Sequence, residues 1–491
     1  MAAFTPSSRW LTGFDMALTN AILFFLLSFS VVIFRLPLGF SKFVGVVYFL
    51  GSIVSAGTML FSGGALAAIV FYVLGCGIFF GFGTVYSTTL NDFYTNAFFS
   101  HATQELMVPS MNLINSLSVT IALVVARPFC RQGPGESGRY TKLRSTLDLL
   151  RPALPFAFVL SFIYIVLLIM TFPLAHDPLL RSLITYMQGL AFCAVLASAA
   201  IWSTASIGTR IAASVIVGVL SAIGLIAFSK QQTMLPLVAL IAGLLLDGQA
   251  RRAAMIASAA AVVVYMFLAV PVSTYGRVHP NYNPAENSIG ERLAMFDYIF
   301  ERNSTEHDQG RQRQGQYVAR FSAAPVQAFL IAQHDKGNPG DTLAQGWIAL
   351  VPRVLWSDKP NVTRFGTELD SSVFRRGNSA SALAPSYSGE AYWNGGWVGL
   401  ILVSALLGLE VGWLTRKWIK FTRVGLREAG IFIFGVPAML FSLWVETWIV
   451  PTYVGGFATL FVLITAANFA VRNLLPGSHP ATISASRRPA L

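Results

Sequence analysis

The chain has 491 residues, of which 55% are apolar and 11% charged, and its formal net charge is +12. Soluble domains carry about 25% charged residues, so this composition excludes a water-soluble globular protein and calls for lipid as the solvent. Lys and Arg that orient spans account for the positive balance, and no recognition module accompanies it that would bind nucleic acid.

A spanning helix needs about 20 mostly apolar residues. Such stretches run over 16–34, 43–62, 64–85, 106–126, 154–174, 182–202, 210–229, 233–247, 253–271, 395–414, 430–450 and 453–471. Backbone polar groups must be satisfied internally in lipid, and no run of short alternating strands suggests a barrel. The sequence therefore predicts an all-α polytopic membrane protein of about twelve transmembrane helices. The fourth stretch carries Asn112 and Asn115, and the eighth is short. Gly77 with Gly81, and Gly395 with Gly399, read as points of close helix approach. The first stretch is long enough to remain as an uncleaved span. Cys76, Cys130 and Cys193 all lie outside the one long loop, so no disulfide is expected to staple it.

Four units follow: 1–271, a bundle of about nine helices; 272–394, a large loop with short helices; 395–475, about three further helices; and 476–491, a polar tail expected to be disordered. With the N-terminus inside, 18 Lys and Arg fall in inside segments and 4 in short outside loops. The positive-inside rule then puts both termini in the cytoplasm and 272–394 outside.

The loop holds 12 basic and 12 acidic residues. Ser288 and Glu291 have capping-box spacing, and Ile289, Leu293, Phe296 and Phe300 follow at helical spacing, an apolar face for the membrane or the bundle. A second helix is expected over about Gln316–Gln333, carrying Arg320 and kinked or interrupted at Pro325. Gly337-Asn338-Pro339-Gly340 reads as a turn. The segment from Trp347 to Pro360 suits the headgroup level, its Arg353 reading either as an interfacial anchor or as a ligand for an anionic headgroup. Glu390 stands just before the tenth stretch, either as a helix-start carboxylate or as part of a site.

Val351-Pro352-Arg353-Val354-Leu355-Trp356-Ser357-Asp358-Lys359-Pro360, with Gly389-Glu390-Ala391-Tyr392-Trp393-Asn394-Gly395-Gly396-Trp397-Val398-Gly399, resembles the extracytoplasmic loop signature of bacterial oligosaccharide repeat-unit polymerases, the Wzy-type enzymes of O-antigen and exopolysaccharide assembly. Ser229-Lys230 is similar to a Ser-Arg or Ser-Lys pair those enzymes carry. The resemblance implies a GT-C-like integral-membrane glycosyltransferase of the bacterial inner membrane. It would transfer a growing glycan from polyprenyl diphosphate to an incoming lipid-linked repeat unit. A chain-length regulator and an export complex are the partners implied, beside membrane lipids.

Under that reading Lys230, Arg320, Arg353, Lys359 and Arg364 supply cations for the diphosphate. Glu390 is the first choice for the base at the acceptor hydroxyl and Asp358 the second. Trp356, Tyr387, Tyr392 and Trp393 are expected to contact glycan. No His-Glu-x-x-His, no phosphate-binding Gly-rich loop and no Asp-x-Asp loop pair is present, so no metal or other cofactor is expected. An O-antigen ligase shares the layout and the donor. A lipid-linked oligosaccharide flippase is the reading from another class, and the long outer loop disfavours it.

Overall fold

A computed structural model describes residues 6–60, 67–89, 101–131, 153–172, 178–247, 249–277, 279–283, 286–305, 324–351, 384–423 and 447–458. It also describes Ser62, Leu355, Trp356, Lys359, Pro360, Phe365, Gly366, Leu369, Val445, Phe461 and Thr465. Among these residues every regular element is a helix. Seven helices are long and apolar enough to cross a membrane, and three shorter apolar ones accompany them. The protein is an all-α membrane protein, and these ten helices fall on the first ten predicted stretches. Most of 430–450 and of 453–471 lies outside the described residues.

In chain order the helices are α1 Pro6–Ile33, α2 Leu38–Met59, α3 Ala68–Cys76 and, after a π-helical turn at Gly77–Phe82, α4 Gly83–Thr89. Then come α5 His101–Cys130, α6 Ala153–Met170, α7 Pro178–Ala200, α8 Ile207–Ile226 and α9 Lys230–Leu246. α10 Arg251–Val264 runs through a π turn at Tyr265–Ala269 into α11 Val270–Arg277. Short helices follow: α12 Ile289–Ala294, α13 Phe296–Thr305, α14 Ala324–Asp335, a 3-10 turn Thr342–Gln345 and α15 Gly346–Leu350. The long α16 spans Tyr387–Arg423, and a π turn occupies Val450–Gly455.

The helices form two sets sharing one apolar core. In one, α16 packs on α5, α14 and α3, and α1, α2 and α5 pack on one another. In the other, α9 lies against α7, α8 and α10, and α6 against α7. Small residues bring backbones together. A Cβ at Gly81 would come within 2.9 Å of the Phe49 amide nitrogen, and one at Gly45 within 2.8 Å of the Gly81 carbonyl, so the first glycine pair is a packing device.

α5 and α16 run parallel in constant register. Ser118 and Ser404 hydroxyls meet at 2.6 Å, 286 residues apart. Gly408 faces Ala122 and Gly412 faces Ala126 at the same offset. The inward residues of α16, Leu400, Ser404, Leu407, Val411, Leu414 and Trp418, recur at three- and four-residue steps and are buried, whereas Leu402, Leu406 and Leu409 between them are exposed.

Three expectations change. The capping box at Ser288 and Glu291 is formed, but the helix breaks at Met295, and its packed face is Arg292, Met295 and Ile299. Leu293 and Phe300 point outward instead, at 50% and 46% exposure, because Arg292 turns inward, its guanidinium 4.7 Å from the Phe172 ring centroid and 5.4 Å from that of Tyr282. Burial pushes that guanidinium's pKa down. Pro325 is the second residue of α14 and not a kink, since an amide is dispensable in a helix's first turn; residues 316–323 lie outside the described residues. Gly395 has open space around it, so it is no contact point for a neighbouring helix.

Candidate functional site

The segment that opens α16 carries the site. It begins before Gly395, with Ser386 at φ 66° and its hydroxyl accepting from the Gly389 amide at 3.2 Å. Glu390 therefore lies in the first turn of α16, and not just ahead of a span that begins at Gly395. The helix is then broken at Gly395 (φ −145°, ψ 18°) and Gly396 (φ 55°, ψ −143°). A break frees carbonyls that lipid cannot satisfy. Here the chain between α14 and α15 satisfies them. The Trp393 carbonyl accepts from the Gly340 amide at 3.0 Å and meets His334 Nδ1 at 2.9 Å. Asn394 donates to the Glu390 carbonyl at 2.9 Å and accepts from the Leu343 amide at 3.0 Å. Trp393 Nε1 donates to the Asn338 carbonyl at 3.1 Å. Gly340 is tight because a Cβ there would enter the Trp393 ring.

Beneath this surface lies a sealed polar layer. The Glu390 side chain is fully buried. One oxygen accepts from Thr342 Oγ1 at 2.7 Å, and the other accepts from the Ile449 amide. Asn394 also donates to Thr342 Oγ1, at 2.9 Å. Further in, Asn115 and Gln327 exchange amide hydrogen bonds at 2.7 and 3.2 Å, and Ser388 donates to Asn115 Oδ1 at 2.6 Å. Asn112 accepts from Thr84 at 2.6 Å. Tyr387 meets the Tyr72 hydroxyl at 2.7 Å and accepts from Ser118 at 2.9 Å.

An outer layer reaches solvent. Asp335 is exposed, and its Oδ1 accepts from the Tyr392 hydroxyl at 3.1 Å. The His334 and Tyr392 rings meet edge to face at 5.1 Å, and Trp397 flanks Tyr392 at 5.3 Å. A carbonyl can only accept, so His334 Nδ1 carries the proton shared with Trp393 O, and neutral His334 keeps its lone pair on Nε2. That nitrogen faces Gly396, where a Cβ would come within 2.9 Å. The arrangement brings an exposed carboxylate and an imidazole onto one tyrosine, the carboxylate on its hydroxyl and the imidazole on its ring.

The predicted residues fare differently. Glu390, Tyr392 and Trp393 come together here. Tyr387 does not offer a face to glycan: it is 0% exposed, enclosed by Tyr72, Phe80 and Tyr453. Trp356 stacks on Trp347 at 5.7 Å, beside exposed Leu350 and Leu355, a geometry suited to an interfacial anchor. Lys359 donates to the Val351 carbonyl at 2.8 Å and to that of Ala349 at 3.4 Å, closing the C-terminal end of α15. Lys230 opens α9 behind the cap Ser229 in the other helix set. The helices packed most closely on α9 carry none of the other predicted site residues. Arg320, Arg353, Asp358 and Arg364 lie outside the described residues.

Sequence reasoning missed His334, Asp335, Thr342 and Gln327. It also passed over Glu410, a carboxylate within the α16 span with one buried oxygen lacking a hydrogen-bond partner among the described residues. Polar residues inside apolar runs were the available signal, because each requires a partner within the bundle.

A family model described as a domain of unknown function, DUF8712, matches residues 153–441, and the chain belongs to that family. The matched region holds α14, α15 and α16, whereas Tyr72, Asn115 and Ser118 come from helices that precede it. No curated protein and no solved structure matches the chain.

Proposed function

We propose that this DUF8712 protein is a glycosyltransferase of a bacterial inner membrane that polymerises lipid-linked oligosaccharide repeat units. In this reading about twelve helices span the bilayer, both termini are cytoplasmic, and 272–394 with the start of α16 faces the periplasm. One observation carries most weight: the stretch Gly389–Gly399, the second of the two on which the resemblance rests, is a broken helix whose outer end gathers Asp335, His334 and Tyr392. A broken helix held by a covering loop is a means of building a polar site at the edge of lipid.

The chemistry needs three things. A base must take the proton of the acceptor hydroxyl as that oxygen attacks the anomeric carbon of the donor glycan. The bond from that carbon to the diphosphate oxygen breaks, and cations must stabilise the leaving charge. Aromatic faces must hold sugar rings. Asp335, exposed and oriented by Tyr392, is better disposed to act as base than Glu390, whose two oxygens are occupied in a closed layer. Arg320, Arg353 and Arg364 remain the sequence's choice for the diphosphate, and Trp397, 45% exposed, is the aromatic face, with buried Tyr392 packed behind it.

The decisive experiment deletes the gene and resolves lipid-linked intermediates. Loss of polymer with retained single repeat units on the outer leaflet is the expected result. Retained long lipid-linked polymer that fails to be attached would instead identify a ligase. Repeat units trapped on the inner leaflet would identify a flippase and remove the proposal.

A further inference from the structure

Where α5 ends and α16 runs on past it there is a cavity of about 600 Å³. Its described lining includes Arg131, Arg416, Lys417 and Lys420, and no acidic residue. The rest of the described lining is apolar and includes Phe129 and Trp413, and Lys417 Nζ lies 5.1 Å from the Trp413 ring centroid. Gly412 keeps the two helices close there, since a Cβ on it would come within 2.8 Å of the Phe129 ring.

The approach to this cavity is a lipid-facing surface. An α-helix brings residues seven apart to within about 20° of one another. On α16, Leu402 and Leu409 lead to Arg416, and Leu406 leads through Trp413 to Lys420; on α5, Val124 leads to Arg131. Leu402, Leu406 and Leu409 are 59%, 59% and 44% exposed, and Val124 is 52% exposed. Three columns on two parallel helices thus change from exposed aliphatic to basic at one level. A charged surface groove for a soluble anion has no need of that alignment. An amphiphile with an anionic head does, for its acyl chains lie along the aliphatic columns while its phosphate enters the cavity.

We infer that the α5–α16 end is a binding site for an anionic phospholipid, held by Arg131, Arg416, Lys417 and Lys420 around its phosphate. The positive-inside rule assigns this end to the cytoplasmic leaflet. Basic side chains with no carboxylate in the described lining select a lipid of net negative charge over a zwitterionic one. The inference is independent of the glycosyltransferase reading.

The test uses the full chain, delipidated in detergent and offered dioleoyl-phosphatidylglycerol, dioleoyl-phosphatidylcholine or inorganic phosphate, with retained lipid read by native mass spectrometry. Phosphatidylglycerol is expected to be retained in preference to phosphatidylcholine. R416Q/K420Q is expected to weaken that retention about 25-fold, taking roughly fivefold for each basic residue at a membrane surface. R416K/K420R should keep it, and R251Q/R252Q, at the exposed start of α10, should leave it unchanged. Should R416Q/K420Q fail to fold, R131Q on the opposite wall is expected to weaken retention about fivefold. Equal retention of the two lipids, no loss in any cavity variant, or the same loss in R251Q/R252Q would overturn the site. Displacement of phosphatidylglycerol by inorganic phosphate at equal concentration would overturn its assignment to lipid.

Discussion

Thr342 Oγ1 donates to Glu390 Oε1 at 2.7 Å across 48 residues of sequence, and with the Ile449 amide on the other oxygen one carboxylate bolts three segments together. Glutamine can accept at only one position. With its oxygen toward the Ile449 amide, its NH2 meets Thr342 Oγ1, and the hydroxyl proton that Glu390 accepts loses its partner. Glu390→Gln is therefore expected to cost about 1–2 kcal/mol, and Glu390→Ala about 3 kcal/mol or more, since it strands two buried donors and opens a void. Thermal unfolding of the purified variants measures both. Midpoints matching wild type in both would show that the bolt carries no weight. At matched folded protein, Glu390→Gln should keep most of its polymer output.

Gly396 and its neighbour Gly395 make a sharper comparison. Gly396 has φ 55° with ψ −143°, a region that side chains rarely enter, and a Cβ there would press on His334 Nε2 at 2.9 Å. Gly395 has φ −145° and nothing within 4 Å of a built Cβ. Gly396→Ala is expected to cost about 1–3 kcal/mol, and Gly395→Ala no more than about 0.5 kcal/mol. Melting temperatures of the pair decide, and equal losses would mean that the break tolerates a side chain at either position.

These two glycines also show where the sequence stops being legible. Apolar runs of spanning length and the Ser288/Glu291 spacing are local signals, and ten helices and a formed capping box follow from them. Paired glycines beside an apolar run look like its beginning, so α16 reads as starting at Gly395, and Glu390 reads as lying outside it. The partners that keep the helix going before the break, Gly340, His334 and Leu343, are more than 50 residues away. Asn115 is similar. It reads as a flaw in its span until Gln327, 212 residues on, supplies the matching amide. The residues facing Asn115 and Glu390 are set by tertiary approach, and periodicity records only which face of a helix is apolar. That limit also explains the displaced face of α12 and α13, where a buried Arg292 replaced the apolar positions that the pattern favoured.

The capping box titrates. Glu291 accepts from the Ser288 amide at 2.6 Å and from its hydroxyl at 2.9 Å, and the backbone bond first, then the hydroxyl, hold its carboxyl below the ordinary 4.5. A carboxyl depressed in the folded state adds stability that is fully present above the unfolded pKa and is lost as pH falls through the folded one. The amides of α12 should therefore be as protected at pH 5 as at pH 7, and lose protection as pH drops below about 4.5. Hydrogen exchange corrected for intrinsic rate measures this. Glu291→Gln should start less protected and show little change across the same range; a wild-type acid response in that variant would place the titration elsewhere.

The last expectation concerns the exposed layer. Asp335 presents one oxygen to the Tyr392 hydroxyl at 3.1 Å, and the residue as a whole is exposed. Asp335→Asn keeps an acceptor for Tyr392 and nearly the same shape, but an amide does not take up a proton at neutral pH. If Asp335 is the base, turnover of lipid-linked repeat units should fall by about 10²-fold or more, with the unfolding free energy within about 0.5 kcal/mol of wild type. Tyr392→Phe removes one orienting bond and should cost less than about tenfold. His334→Asn separates positioning from proton transfer: an asparagine amide nitrogen stands where Nδ1 does and can still donate to the Trp393 carbonyl, so the broken helix should hold, and only a role for Nε2 would be lost. Polymer profiles from membranes with matched protein levels distinguish these cases. Normal polymer in Asp335→Asn with little in His334→Asn would move the base to the imidazole. Normal polymer in both would take the chemistry away from this layer, leaving Asp358 as the carboxylate to examine.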